Sequence, residues 1–173
     1  MDTKENFLID SNTLMTASRQ YYAQDIVPGF WAVLENKLTT GKIVLLDMVK
    51  AEIDKGEDAL KRWLDEHTDN LIICNHYDEK IISKYGEVIQ YIQECGFYND
   101  VGLDSWAQAS VADPWLIAAA AAKDYTIITF EQRSGNLSIK NKSKKVKIPD
   151  VADHFNVRVE NLYYMMRQMG FRI

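Results

Sequence analysis

Four short runs, Phe7–Ile9, Ile43–Leu46, Leu71–Ile73 and Thr126–Thr129, are rich in branched side chains, and none alternates with polar residues. A strand with one face in water alternates, whereas an unbroken apolar run suits a strand buried on both faces, as in a parallel sheet covered by helices. The stretches between the runs carry helical periodicity instead. Trp31, Leu34 and Leu38 repeat within Gly29–Leu38, and Leu60, Trp63 and Leu64 within Val49–Glu66. In Asp78–Glu94 the period holds over several turns, through Ile81, Ile82, Tyr85, Val88, Ile89 and Ile92, and Asp113–Lys123 reads as a buried, alanine-rich helix. Strand then helix, repeated, predicts an α/β fold with a mainly parallel sheet. Gln132–Lys145 reads as a loop, Val146–Ile148 as a further short strand, and Val159–Met169 as a last helix ending before Gly170.

The chain has 173 residues, 47% apolar and 26% charged, with only eight Gly and three Pro, which predicts one domain spanning residues 1–173. Its longest apolar stretch, Trp115–Ala122, is too short to span a membrane. Residues Met1–Asn6 lack the cationic start of a secretory signal, so the expected location is the cytoplasm. Cys74 and Cys95 stand too far apart for a paired zinc motif and read as reduced thiols. A net charge of −5 argues against binding nucleic acid through the overall field, though not against a local basic patch.

Ligands of an open parallel sheet sit beyond the carboxyl ends of its strands, so acids just past the apolar runs are the candidates for chemistry. Asp10 closes the first run, where it also suits an N-cap for a helix beginning near Thr13. Glu52 lies early in the helix after the second run. Asp113 precedes Pro114 and reads as an N-cap followed by a first-position proline. Glu131 follows the fourth run by two residues, and the Thr129 hydroxyl can reach the same edge. Converging carboxylates raise one another's pKa unless a hard divalent cation neutralises them, and an all-oxygen donor set selects Mg²⁺ or Mn²⁺.

The segments Leu8–Asn12, Val49–Ile53, Ala112–Ala118 and Ile127–Glu131 together resemble the PIN-domain nucleases, and in particular a PIN-like branch of bacterial proteins of this length. The resemblance implies an α/β/α sandwich, a divalent-metal site and cleavage of single-stranded RNA, often as the toxin of a toxin–antitoxin pair. It assigns Asp10, Glu52 and Asp113 to the three core acids, Asn12 to a polar support for the first, and Glu131 to the more variable fourth, where many members have Asp. Asp150 competes for that fourth place or caps the next short helix. An RNA substrate, an antitoxin partner and a homodimer are the associations this reading entertains.

Lys140, Lys142, Lys144, Lys145 and Lys147 crowd the late loop and can track an RNA backbone, although solvated loops carry such runs too. Arg133, two residues past Glu131, suits a phosphate or a surface acid. Tyr21, Tyr22, Phe30 and Trp31 form an aromatic group that suits base stacking, a partner or the core. His67, His76 and His154 are scattered, Ser11 has no nucleophile elbow, and no glycine-rich phosphate loop is present. The rival readings are a PIN-like scaffold whose acids only cap helices and a metal-dependent phosphatase, against which Asn12 argues where many phosphatases carry a second Asp.

Overall fold

The computed structural model describes residues 5–173. Residues 1–4 of the segment read as lacking a signal lie outside that range. Its strands are β1 (Phe7–Ile9), β2 (Ile43–Leu46), β3 (Ile73–Cys74), β4 (Thr126–Ile128) and β5 (Val159–Glu160). They form one sheet in the order β3-β2-β1-β4-β5, with every neighbouring pair parallel. Phe7 stands opposite Ile43 on one side and Thr126 on the other, which makes β1 the centre of the sheet. Successive side chains of a strand point to opposite faces. All residues of β1, β2 and β4 are buried, so helices cover both faces, giving the α/β/α arrangement.

The helices are α1 (Ser11–Thr16), which runs on through a π-helical turn to Tyr21, α2 (Pro28–Thr39), α3 (Asp47–Ile53), α4 (Ala59–His67), α5 (Glu79–Glu94), α6 (Asp100–Ala107), α7 (Ala112–Lys123), α8 (Ile148–His154) and α9 (Leu162–Gln168). Helix α7 is buried along most of its length, and its small residues Ala118, Ala119 and Ala120 let it pack close beneath α5 and the sheet. It ends at Asp124 in the left-handed region, φ 57°. No helix among the described residues is long and apolar enough to cross a membrane.

Four expectations change. The helix read through Val49–Glu66 is two, because the chain breaks after Ile53 and Asp58 starts α4 by accepting from Lys61 N at 3.2 Å. The strand placed at Leu71–Ile73 sits at Ile73–Cys74, since Leu71 closes a 3₁₀ turn through Thr68. Val146–Ile148 is not a strand: Val146 is buried in the loop and Ile148 opens α8. Val159–Met169 divides into β5 and α9, which Asn161 separates by capping Tyr164 N at 2.9 Å. Phe30 and Trp31 are core residues, and Tyr22 stacks on Phe30 with centroids 4.2 Å apart, while Tyr21 stays half exposed.

Candidate functional site

The chain builds the sheet outward from β1 to β2 and β3, then crosses back to place β4 on the other side of β1. The carboxyl ends of β1 and β4 therefore flank the topological switch point, where the diverging connections leave a crevice. Asp10 stands at its floor. Its backbone N–H donates to Ile128 O at 3.0 Å, and its side chain is fully buried. One carboxylate oxygen accepts from Thr129 Oγ1 at 3.0 Å, the other from Asn12 N at 3.4 Å, which also caps α1. Burial raises the Asp10 carboxyl to about 6; the charges of Glu131 and Glu52 push the same way, and the hydrogen bonds from Thr129 and Asn12 oppose them.

Thr129 has a second task. Its hydroxyl oxygen accepts from Glu131 N at 3.1 Å, so one side chain fixes both Asp10 and the start of the next acidic residue. Glu131 in turn accepts from Ile148 N at 2.8 Å and caps the opening of α8. Glu52, in α3, accepts from Ser11 Oγ at 2.6 Å and from Ala112 N at 3.1 Å. It thereby satisfies the first orphan N–H of α7, whose own cap position is held by Val111, a side chain that accepts nothing.

Asp113 differs from these three. It is the second residue of α7, with Pro114 third, so it is not the N-cap that the sequence suggested. No donor among the described residues hydrogen-bonds it. Burial, then the charges of Asp10, Glu131 and Glu52, push its carboxyl up to about 8. Asp113 and Glu131 also line a cavity of about 360 Å³, whose other walls come from α6 and from Lys144, Lys145 and Lys147.

The remaining candidates are placed as follows. The Asn12 side chain is exposed, and the support it gives Asp10 comes from its backbone. Asp150 accepts from Ser134 N and Oγ at 3.1 and 2.6 Å, holding the start of the late loop, and is not among the charges acting on Asp10 or Asp113. Arg133 makes a bidentate pair with Asp153 at 2.7 and 2.6 Å on the surface. Lys140 and Lys142 are exposed and do not line the cavity. Two features escaped the sequence reading: the positioning role of Ser11, whose signal was its place beside Asp10, and a pair between His76 Nδ1 and Asp47 Oδ2 at 2.6 Å, where Asp47 follows β2 as Asp10 follows β1. A second cavity, of about 380 Å³, has Glu5, Thr126 and Arg158 in its lining, where Glu5 already accepts from both Thr126 and Arg158.

Among the described residues no three acids, histidines or cysteines are drawn together closely enough to form a ready-made metal cage. The hydrogen bonds explain why, since Asp10, Glu52 and Glu131 are each held by a protein donor. The chemistry of the set nonetheless fits a hard divalent ion. Its donors are all carboxylate oxygens, and Asp113 is a desolvated carboxyl facing the charges of Asp10, Glu131 and Glu52, with no hydrogen-bond donor among the described residues.

This sheet order and its covering helices make the protein a PIN-like α/β/α sandwich. The structure of VapBC2 from Rickettsia felis, bound to a DNA fragment from its promoter, matches with a TM-score of 0.54 and 16% identity over 90% of this chain and 97% of that one. FitAcB from Neisseria gonorrhoeae matches with a TM-score of 0.51 and 15% identity over 91% of this chain and 99% of that one. At this identity the likeness is one of fold. No curated protein matches the sequence. The chain belongs to the family described as Domain of unknown function (DUF4411), whose profile matches residues 7–173.

Proposed function

We propose that the protein is a divalent-metal-dependent endoribonuclease that cuts single-stranded RNA at the β1/β4 crevice and acts as the toxin of a toxin–antitoxin pair. The observation that carries this reading is Asp113: a carboxyl pushed up to about 8 by burial and by Asp10, Glu131 and Glu52, with no hydrogen-bond donor among the described residues. Burial and three acidic neighbours disfavour its ionised form, which a bound divalent cation would stabilise. Asp10, Glu52, Asp113 and Glu131 would hold Mg²⁺ or Mn²⁺. When bound, such an ion supplies an activated water and stabilises the leaving oxygen of a phosphodiester.

The protein's own contributions are positional. Thr129 orients Asp10, while Ser11 and Ala112 N fix Glu52 at the mouth of α7. The cavity that Asp113 and Glu131 line also has Lys144, Lys145 and Lys147 in its walls. The resemblance of four segments, spread over most of the chain, to PIN nucleases, and fold neighbours named VapBC2 and FitAcB, support both the nuclease class and an antitoxin partner.

A scaffold without activity is the second reading. What favours it is that Glu52 and Glu131 already serve as helix caps and that no three-ligand cage is assembled among the described residues. The deciding experiment is incubation of purified protein with single-stranded and structured RNAs in Mg²⁺, Mn²⁺ or EDTA, beside Asp10→Asn and Asp113→Asn. Cutting that needs the metal and vanishes in both variants is the expected result. No cutting with either metal, together with no metal binding by calorimetry, transfers the conclusion to the scaffold.

A further inference from the structure

The late loop carries its lysines to the acidic cleft on a fixed backbone. Ser143 N donates to Phe97 O at 2.8 Å, Asn99 N donates to Ser143 O at 3.0 Å, and Tyr98 and Ser143 form a parallel bridge, so the loop pairs with the segment that leads into α6. The Ser143 hydroxyl closes the next turn, donating to Lys145 O at 2.9 Å and accepting from Lys145 N at 3.1 Å. Helix α6 sits directly on this backbone: a Cβ at Gly102 would stand 2.9 Å from Ser143 O, closer than a side-chain carbon tolerates. Downstream, Val146 is buried and Ile148 N is bound to Glu131.

Between these anchors Lys144, Lys145 and Lys147 line the cavity that Asp113 and Glu131 share. Lys50, Lys61, Lys84 and Lys123 each form an ion pair with an acid, as do Arg19, Arg133 and Arg158. Lys37, Lys55, Lys80, Lys140, Lys142 and the three cavity lysines pair with no described acid, and of these only Lys144, Lys145 and Lys147 line a cavity together with two acids, Asp113 and Glu131. Cations held over an acidic cleft without neutralising it are placed for an anion from outside.

We infer that Lys144, Lys145 and Lys147 form a phosphate-binding wall that draws the backbone of single-stranded RNA into the cleft, and that Lys140 and Lys142 take no part. The choice of RNA rests on the nuclease reading. The physical need is general, because a chain of net charge −5 whose crevice holds four carboxylates repels a polyanion unless a local cationic surface outweighs them. Loss of three phosphate contacts reduces the slope of log affinity against log salt by about 2 for a single strand.

The test is fluorescence anisotropy of a labelled single-stranded RNA with the full chain in EDTA, where cutting does not intervene, across a salt series. The expected result is measurable binding by the wild type, at least ten-fold weaker binding with a shallower salt slope for the triple variant Lys144→Gln, Lys145→Gln, Lys147→Gln, and binding within two-fold of wild type for Lys140→Gln, Lys142→Gln. Equal losses in the two variants, triple-variant binding within two-fold of wild type, a preference for duplex RNA or DNA over the single strand, or no wild-type binding overturns the wall. Binding that depends on the three lysines in a protein that cuts no RNA with any metal sinks the nuclease and leaves the wall standing. Cutting with no effect of the triple variant on binding does the reverse.

Discussion

Ser11 Oγ lies 2.6 Å from Glu52 Oε2 but 3.5 Å from Oδ1 of its own neighbour Asp10, so its single proton goes to the residue 41 positions away. That bond and the one from Ala112 N tie α1, α3 and α7 together through one carboxylate. Glu52 is thus both a structural cap and a candidate ligand, and two substitutions separate the roles. Glu52→Ala strands the Ala112 N–H and is expected to cost about 1–2 kcal/mol, read as a Tm several degrees lower. Glu52→Gln keeps an oxygen for Ala112 N and offers its amide to Ser11, so it is expected to fold as wild type while losing metal-dependent cutting. A Glu52→Gln protein that cuts RNA normally removes Glu52 from the site.

Asp113 sets a pH dependence on stability. Its folded pKa, about 8, lies above the ordinary carboxylate value near 3.8. Between those values the folded chain holds a proton that the unfolded chain has lost, so stability contributed by the neutral acid is present below about pH 4 and declines as pH rises through 8. Asp10, raised to about 6, acts in the same direction over a lower window. Metal-free protein is therefore expected to melt at a lower temperature at pH 8.5 than at pH 5.5. Asp113→Asn should flatten that difference and gain on the order of 2 kcal/mol at the higher pH. A melting temperature that rises from pH 5.5 to 8.5 in EDTA contradicts the assignment.

Metal addition should show the opposite pH preference. Carboxylates bind a cation only when ionised, so Mn²⁺ or Mg²⁺ is expected to raise Tm more at pH 8 than at pH 5.5. The increment should disappear in Asp113→Asn. An equal increment in the variant would place the ion elsewhere.

Thr129 donates to Asp10 and accepts from Glu131 N, which a methyl group can do for neither. Thr129→Val, nearly constant in shape, is expected to lower stability by about 1–3 kcal/mol and to raise the Asp10 pKa further. Thr129→Ser should preserve both bonds and most of the activity. NMR titration of the Asp10 carboxyl in the two variants distinguishes them.

Gly102→Ala forces either α6 or Ser143 to move, because the new carbon meets a backbone oxygen. The expected cost is about 1–3 kcal/mol in a denaturant titration. The loss of RNA binding should exceed that of a surface control such as Gly86→Ala, whose added carbon meets nothing within 4 Å.

The parts of the molecule that a local pattern determines were legible in the sequence. The fully buried strands β1, β2 and β4 announce themselves by unbroken apolar runs, and Asp10 and Glu131 by following them. The parts that long-range pairing determines were not. Val146–Ile148 is apolar enough for a strand, yet Ile148 N is claimed by Glu131, 17 residues back. Strands of two residues, as in β3 and β5, are too short to show a period. Asp113 looked like a cap because Asp before Pro usually is one, but the cap of α7 is supplied by Glu52 from 60 residues away. The break between α3 and α4 was hidden by apolar positions that keep helical spacing across it, although Gly56 and the cap Asp58 mark the place.

The hydrogen bond between Asp10 and Thr129 spans 119 residues. A ribosome making this chain releases the first acid of the crevice long before the strand that completes it, and until β4 docks beside β1 the Asp10 carboxylate has neither its hydroxyl partner nor Glu131 nearby. A nascent fragment ending short of Glu131 carries no assembled site. Whatever the crevice does, it begins only after synthesis has passed that point, so the RNA nearest to the protein at its birth, the message being read and the ribosome itself, faces an incomplete site for most of the time that the chain is tethered there.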